Sequence, residues 1–268
     1  SSSSAASDVY KRQGGYMANE FARSAAGVRT DRLGNVIARF GPAEAAHKIA
    51  VLAHIDTVGL MVKQVDAASG MLRVIPVGGV NLLALPGATV DIWRYDQASV
   101  PTLPGIPGVI GVRSQHLAQS GDAPRGVDDL TIQVDSAMAE NIRVTTPITY
   151  APQTVRQGDL YSSPYLDNRA GCAILLALAQ SLSDFDRSDV SITLIGSVQE
   201  ETTCAGAFAA LREVQPDVAI FVDGTLSYDT PDTRNRGSVA LGDGPVLTSF
   251  LYVSGLNGWH ADPVSVSY

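Results

Sequence analysis

The run LDNRAGCAILLALAQSLSDFDRSDVSITLIGSVQEETTCAGAFAALREVQPDVAIFVD, residues 166–223, decides the fold class. Leu175, Leu178, Ala179 and Leu182 recur at the i, i+3, i+4, i+7 spacing of one helical face, which predicts a helix over 170–182. Val190 to Val198 is an apolar run of strand length, Ala205 to Val214 reads as a second helix, and Val218 to Val222 as a second strand. Helix and strand in alternation imply α/β architecture: three layers, with a mostly parallel sheet covered on both faces.

Toward the N-terminus the same domain continues. Met17, Phe21, Ala25 and Ala26 give residues 16–28 helix-like spacing. Asp31-Arg32-Leu33-Gly34-Asn35 reads as a turn before the strand Val36 to Phe40, and Lys48 to Ala53 as a buried strand ending at His54. Between about 62 and 153 the pattern changes to short β-like runs: Met71 to Val77, Thr89 to Trp93, Val109 to Val112, Leu130 to Val134 and Val144 to Tyr150. Glycine and proline clusters, Pro101 to Gly108 above all, are expected to separate them. The expected organisation is a catalytic α/β domain in two parts, 14–61 and 154–268, split by an all-β, barrel-like module over 62–153. Residues 1–13, opening Ser1-Ser2-Ser3-Ser4, read as a non-native or disordered leader. The end at Val264 to Tyr268 reads as a C-terminal truncation.

The chain has 268 residues, 45% hydrophobic and 17% charged, enough for a sizeable core. A formal net charge of −8 argues against nucleic acid or an anionic membrane surface as partner. No apolar run has membrane-spanning length. Two cysteines, Cys172 and Cys204, give no disulfide framework and point to a cytoplasmic setting. Both read as small buried apolar residues, His116 and His260 as surface or structural histidines, and His47 as part of a turn.

Four segments place chemistry at the ends of these elements: Ala53-His54-Ile55-Asp56, Leu166-Asp167-Asn168-Arg169-Ala170-Gly171, Gln199-Glu200-Glu201 and Phe221-Val222-Asp223-Gly224. Taken singly each has a bland reading: a structural histidine, a helix cap, a solvated glutamate pair, a turn. Together they put acids and an imidazole where burial is costly unless a cation is shared. Imidazole with carboxylates suits zinc, cobalt or manganese. His54 is the candidate imidazole ligand, with Asp56 two residues on to orient it. Asp167, at a helix start, suits a ligand bridging two cations. Adjacent Glu200 and Glu201 diverge, so one can bind metal while the other acts as general base. Asp223 closes the first ion's shell. Two cations about 3.5–4 Å apart would activate a water and polarise a carbonyl.

These residues resemble the M42 family of metallo-aminopeptidases, the glutamyl and tetrahedral aminopeptidase group. The resemblance rests on DRLGNVIA (31–38), AHIDTVGLMV (53–62), GVIGVRSQHL (108–117), LDNRAGC (166–172), QEETTCAGA (199–207) and PDVAIFVD (216–223). It implies an enzyme that removes N-terminal residues from peptides with two divalent ions. His54 and Asp223 would serve one ion, Glu201 the other, and Asp167 both. Glu200 would be the base and Asp56 the carboxylate behind His54. It implies a homo-oligomer assembled through the β insert. The family's last ligand is a histidine beyond the end of this chain, so the expectation for the chain alone is inactivity. An M20-like amidohydrolase or a scaffold subunit is the competing reading; the M20 lid would alternate helix and strand over 62–153.

Overall fold

The computed structural model describes residues 3–25, 27–95, 101–112, 114–117, 124, 126–248, 250–255 and 258–263. α1 (Ser3–Phe21) leads into β1 (Gly27–Thr30), β2 (Val36–Phe40) and β3 (His47–His54). Then come β4 (Gly59–Asp66), β5 (Met71–Val77), β6 (Thr89–Tyr95), β7 (Pro101–Gly111), β8 (Thr131–Gln133), α2 (Ser136–Ala139) and β9 (Pro147–Tyr150). A hairpin of β10 (Val155–Gln157) and β11 (Leu160–Ser162) precedes α3 (Leu166–Ser181), β12 (Val190–Ser197), α4 (Ala205–Val214) and β13 (Val218–Phe221). Residues 1–223 form one compact unit. Residues 224–268 form a second, which holds the antiparallel pair β14 (Phe250–Gly255) and β15 (Gly258–Pro263).

Five strands build the main sheet in the order β1-β2-β12-β3-β13. β3 lies parallel to both β12 and β13, while β2 is antiparallel to β12 and to β1. The sheet is therefore mixed, not mostly parallel as expected. Short connections are the reason: residues 31–35 join β1 to β2 and residues 41–46 join β2 to β3, too few for a parallel crossover. Side chains alternate between two cores. Met17 and Phe21 of α1 and Leu175 and Ala179 of α3 pack on Ala38, Phe40, Val51, Ala53 and Leu194. Ala207 and Ala210 of α4 pack on Ile37, Ala50, Leu52 and Ile195. Burial on both faces explains why β3 reads as one unbroken apolar run.

The helix near the N-terminus begins at Ser3. It ends at Phe21, short of the expected residue 28, because Met17 and Phe21 complete the buried face and the chain then turns into β1. His47, expected in a turn, opens β3.

Six strands close a barrel in the order β4-β5-β8-β7-β6-β9, with β9 paired back onto β4. Its core includes Leu60, Val62, Leu72, Val74, Val90, Ile92, Ile106, Ile110, Leu130, Ile132 and Ile148. The cluster Pro101 to Gly108 is not a separator; it is strand, the first part of β7. Positions 106, 108 and 110 all face inward, and this alternation outweighs the breaking tendency of the prolines. Gly108 is there for space: a Cβ would lie 2.7 Å from Ile132 Cγ2. Ile132 is fully buried, so Ile132→Ala should cost about 2–5 kcal/mol, read as a lower urea midpoint by circular dichroism. Within the barrel's described residues the only α-helix is α2, of four residues, which does not fit a lid of alternating helix and strand.

Candidate metal centre

His54 ends β3 and is 3% exposed. Its Nδ1 lies 3.0 Å from the backbone oxygen of Asp56. A carbonyl only accepts, so Nδ1 carries a proton there and the ring turns Nε2 toward the acids. Three carboxylates meet that atom: Asp167 Oδ1 at 3.0 Å, Glu200 Oε2 at 3.7 Å and Asp223 Oδ1 at 3.7 Å. Ligand atoms of His54, Asp167 and Asp223 all lie within 4.8 Å of one another, and so do those of His54, Glu200 and Glu201. The structure thus gathers His54, Asp167, Glu200, Glu201 and Asp223 from four separate segments.

Asp56 does something the sequence reading did not anticipate. Its carboxylate is 3.7 Å from His54 Nδ1, while Oδ1 and Oδ2 accept hydrogen bonds from the backbone N–H groups of Glu200 and Glu201, both at 3.1 Å. The main-chain carbonyl orients the imidazole; the side chain holds the glutamate turn. Sequence reasoning also missed Asn168. This buried side chain donates from Nδ2 to the carbonyl of Val222 at 2.7 Å and accepts from the N–H of Gly171 at 2.9 Å. It ties the end of β13, just before Asp223, to the start of α3, just after Asp167. Gly171 leaves no room for a side chain, since a Cβ would lie 2.2 Å from Asn168 Oδ1. The Asp167–Asn168 peptide is cis.

Cys172 Sγ lies 3.2 Å from the carbonyl of His54, and Cys204 Sγ 3.6 Å from that of Glu200. His116 is exposed and belongs to neither ligand group; the side chain of His260 lies outside the described residues. The barrel comes up against the glutamate loop at Gly78. Gly78, just after β5, has φ +77°, and a Cβ there would lie 3.2 Å from both the Cβ and the carbonyl oxygen of Glu201. A small cleft opens beside Asp56, between the start of β4, the residues of β9 and Gln199, with mostly apolar walls. It lies on the Asp56 side of the centre, and His54, Asp167 and Asp223 do not line it.

The electrostatics are those of acids crowded at one place. Burial pushes the Glu201 carboxyl up to about 7, and the neighbouring acids Glu200, Asp167 and Asp56 push the same way against the pull of His54. Burial also raises Glu200. Asp167 is lowered, chiefly by its hydrogen bond to His54. Burial opposes a charge on His54, yet Asp167, Asp223, Asp56 and Glu200 together hold its pKa far above the imidazole range. In the chain alone the imidazolium is the counter-charge. One imidazole nitrogen and four carboxylates are also a donor set that fits divalent zinc, cobalt or manganese, which would relieve the same repulsion.

A mixed sheet carrying acids and an imidazole at its strand ends, with a closed barrel inserted after the histidine strand, defines an α/β protein with a candidate cation centre. Comparison with known proteins narrows this. The M42 glutamyl aminopeptidase profile matches residues 34–254. SgcX of Escherichia coli (strain K12) is 37% identical over 242 residues, covering 87% of this chain and 62% of that protein. Lysyl aminopeptidase of Pyrococcus furiosus is 31% identical over 229 residues, covering 82% of this chain and 62% of that protein. Among solved structures, aminopeptidase APDkam598 of the archaeon Desulfurococcus kamchatkensis superposes with a TM-score of 0.72 at 27% identity, covering 84% of this chain and 61% of that one. The chain belongs to the M42 glutamyl aminopeptidase family. It spans about 62% of the length of these curated relatives.

Proposed function

We propose that the chain carries the catalytic centre of a dinuclear metal-dependent aminopeptidase. The observation that carries this reading is the pair of ligand groups sharing His54: His54–Asp167–Asp223 and His54–Glu200–Glu201. His54 and Asp223 would hold one divalent ion, Glu201 would contribute to the other, and Asp167 would serve both. When bound, zinc, cobalt or manganese supplies charge that acidifies a water and polarises the scissile carbonyl. Glu200 takes the proton from the attacking water on a carboxylate oxygen and hands it to the leaving amine nitrogen. Its raised pKa suits a group that must accept and then release a proton. Asp56 keeps Glu200 and Glu201 presented, through their backbone N–H groups.

Distance alone does not divide labour between the two glutamates, since both reach the His54 group; the reading of Glu200 as base rests on the family resemblance. The substrates are peptides with a free N-terminus, and the setting is cytoplasmic. Among the described residues no helix is long and apolar enough to cross a membrane. Through the barrel the protein forms a homo-oligomer, and the helices on the two sheet faces give the catalytic domain three layers.

The test is removal and return of the ion. Dialysis against a chelator should abolish release of N-terminal residues from a panel of aminoacyl substrates, and zinc, cobalt or manganese should restore it. Full turnover in the chelated protein would refute a metal-dependent reaction.

A further inference from the structure

We infer that Asn35 is a positioning residue for the Glu200–Glu201 pair, acting through the stem of the loop that carries it. Asn35 is fully buried, in the turn between β1 and β2, and belongs to none of the ligand segments. Its Oδ1 accepts the backbone N–H of Val198 at 3.0 Å, and its Nδ2 donates to the carbonyl of Gly206 at 3.0 Å. One side-chain amide therefore grips both ends of the segment 198–206, with the two glutamates between. A second tie crosses the same stem: the N–H of Gly206 donates to the carbonyl of Val198 at 3.1 Å.

The amide is itself held in one orientation. Asp31 Oδ2 accepts from Asn35 Nδ2 at 2.6 Å, while Asp31 Oδ1 accepts from the N–H groups of Leu33, Gly34 and Asn35 at 2.9, 2.9 and 3.0 Å. Asp31 fixes which end of the amide donates, so the Val198 and Gly206 bonds cannot be exchanged by a flip. Gly206 is fitted to this arrangement: a Cβ there would lie 2.1 Å from the Val198 oxygen and 2.6 Å from Asn35 Oδ1. Between the anchors the chain makes two left-handed residues, Gln199 at φ +61° and Cys204 at φ +55°. A non-glycine residue keeps such a conformation when its surroundings enforce it. Asn35 fixes the stem and the Asp56 carboxylate fixes the tip, so the two carboxylates arrive at the His54 side of the loop already placed.

This inference rests on the reading of Glu200 and Glu201 as the cation-facing pair, and its test separates the two. Asn35→Asp puts an acceptor against the Gly206 carbonyl and a second carboxylate against Asp31. Gly206→Ala strains the same junction without changing a hydrogen-bonding group. Asp31→Asn keeps one oxygen for the three backbone N–H groups but sets an amide donor against Asn35 Nδ2, which removes the lock on the Asn35 amide without touching the Val198 and Gly206 bonds directly. Each is measured by amide hydrogen exchange across residues 198–206 and across the barrel strands, and by zinc affinity in competition with a chelator. Where hydrolysis is followed, kcat should fall with KM nearly unchanged. Expected is faster exchange confined to 198–206 and a zinc affinity lower by about 10–100-fold, the range for residues that orient ligands without binding metal. Asn35→Asp with Gly206→Ala should lose little more than either alone, because both open one junction. A folded variant with unchanged exchange over 198–206, or with faster exchange there and unchanged zinc affinity, would overturn the role of Asn35. If the unsubstituted chain takes up no zinc, the metal reading fails, and exchange over 198–206 alone decides whether Asn35 holds the loop.

Discussion

Glu200→Gln is expected to abolish measurable peptide hydrolysis while leaving bound metal unchanged. Glutamine keeps the shape and the hydrogen-bonding reach of glutamate but cannot take a proton at neutral pH. The loop should hold its form, because its ties are to backbone groups: Asp56 accepts from the N–H groups of residues 200 and 201, and a side-chain amide leaves both bonds in place. Removing a general base costs typically about 10²–10⁴-fold in rate, so kcat should drop by at least that range. The contrast is Glu201→Gln, which alters a ligand and should lower metal content first and activity as a consequence. Metal analysis of both variants after gel filtration, beside their rates, is the measurement. Equal metal loss in the two would show that they share one role.

Asp167→Asn is expected to strip both ions, whereas Asp223→Asn should strip one. Asp167 reaches furthest into the cluster, 3.0 Å from His54 Nε2, against 3.7 Å for Asp223. If its carboxylate serves two ions, the amide leaves each of them one anionic oxygen short. The loss in affinity should exceed the roughly 10–100-fold that follows from disturbing a residue one step further out. Counting bound zinc or cobalt per chain after exhaustive dialysis separates the outcomes. Retention of one full equivalent by the Asp167 variant would end the bridging assignment.

Much of this arrangement could be read from residues, for reasons that also explain where reading failed. β3, β12 and α3 announce themselves because each is buried along its length: Lys48 to Ala53 and Val190 to Val198 as apolar runs, Leu175 and Ala179 at helical spacing. The acids were legible because each sits where such a run stops. Strand direction was not, since an apolar run is the same read either way, and only the short links around β2 decide it. In β7 the prolines hid an alternation at 106, 108 and 110 whose middle position is glycine. The Asp56 carboxylate lies 3.7 Å from His54 Nδ1, beside the imidazole as the spacing suggests, but its hydrogen bonds to the N–H groups of Glu200 and Glu201 could not be read from sequence, because those partners lie 144 and 145 residues along the chain. Asn35 and Asn168 carry no signal in composition. A hint existed in the spacing Asp31-Arg32-Leu33-Gly34-Asn35, an acid whose oxygen can cap three successive N–H groups, but it predicts a turn and says nothing of what the asparagine grips across the sheet.

Gly78 sets the barrel against the glutamate loop: at φ +77° a Cβ would lie 2.9 Å from Val58 Cγ1 and 3.2 Å from the Cβ and carbonyl oxygen of Glu201, so a side chain there is strained and crowded. The two parts of the molecule are therefore not free to diversify separately. A barrel borrowed from a cousin would bring its own residue to this spot, and anything larger would press on Glu201 whatever the quality of the graft elsewhere. Recombination at the joints on either side of the insert would favour donors that carry glycine here, so the inheritance of the barrel and of the glutamate loop is coupled through a single missing side chain.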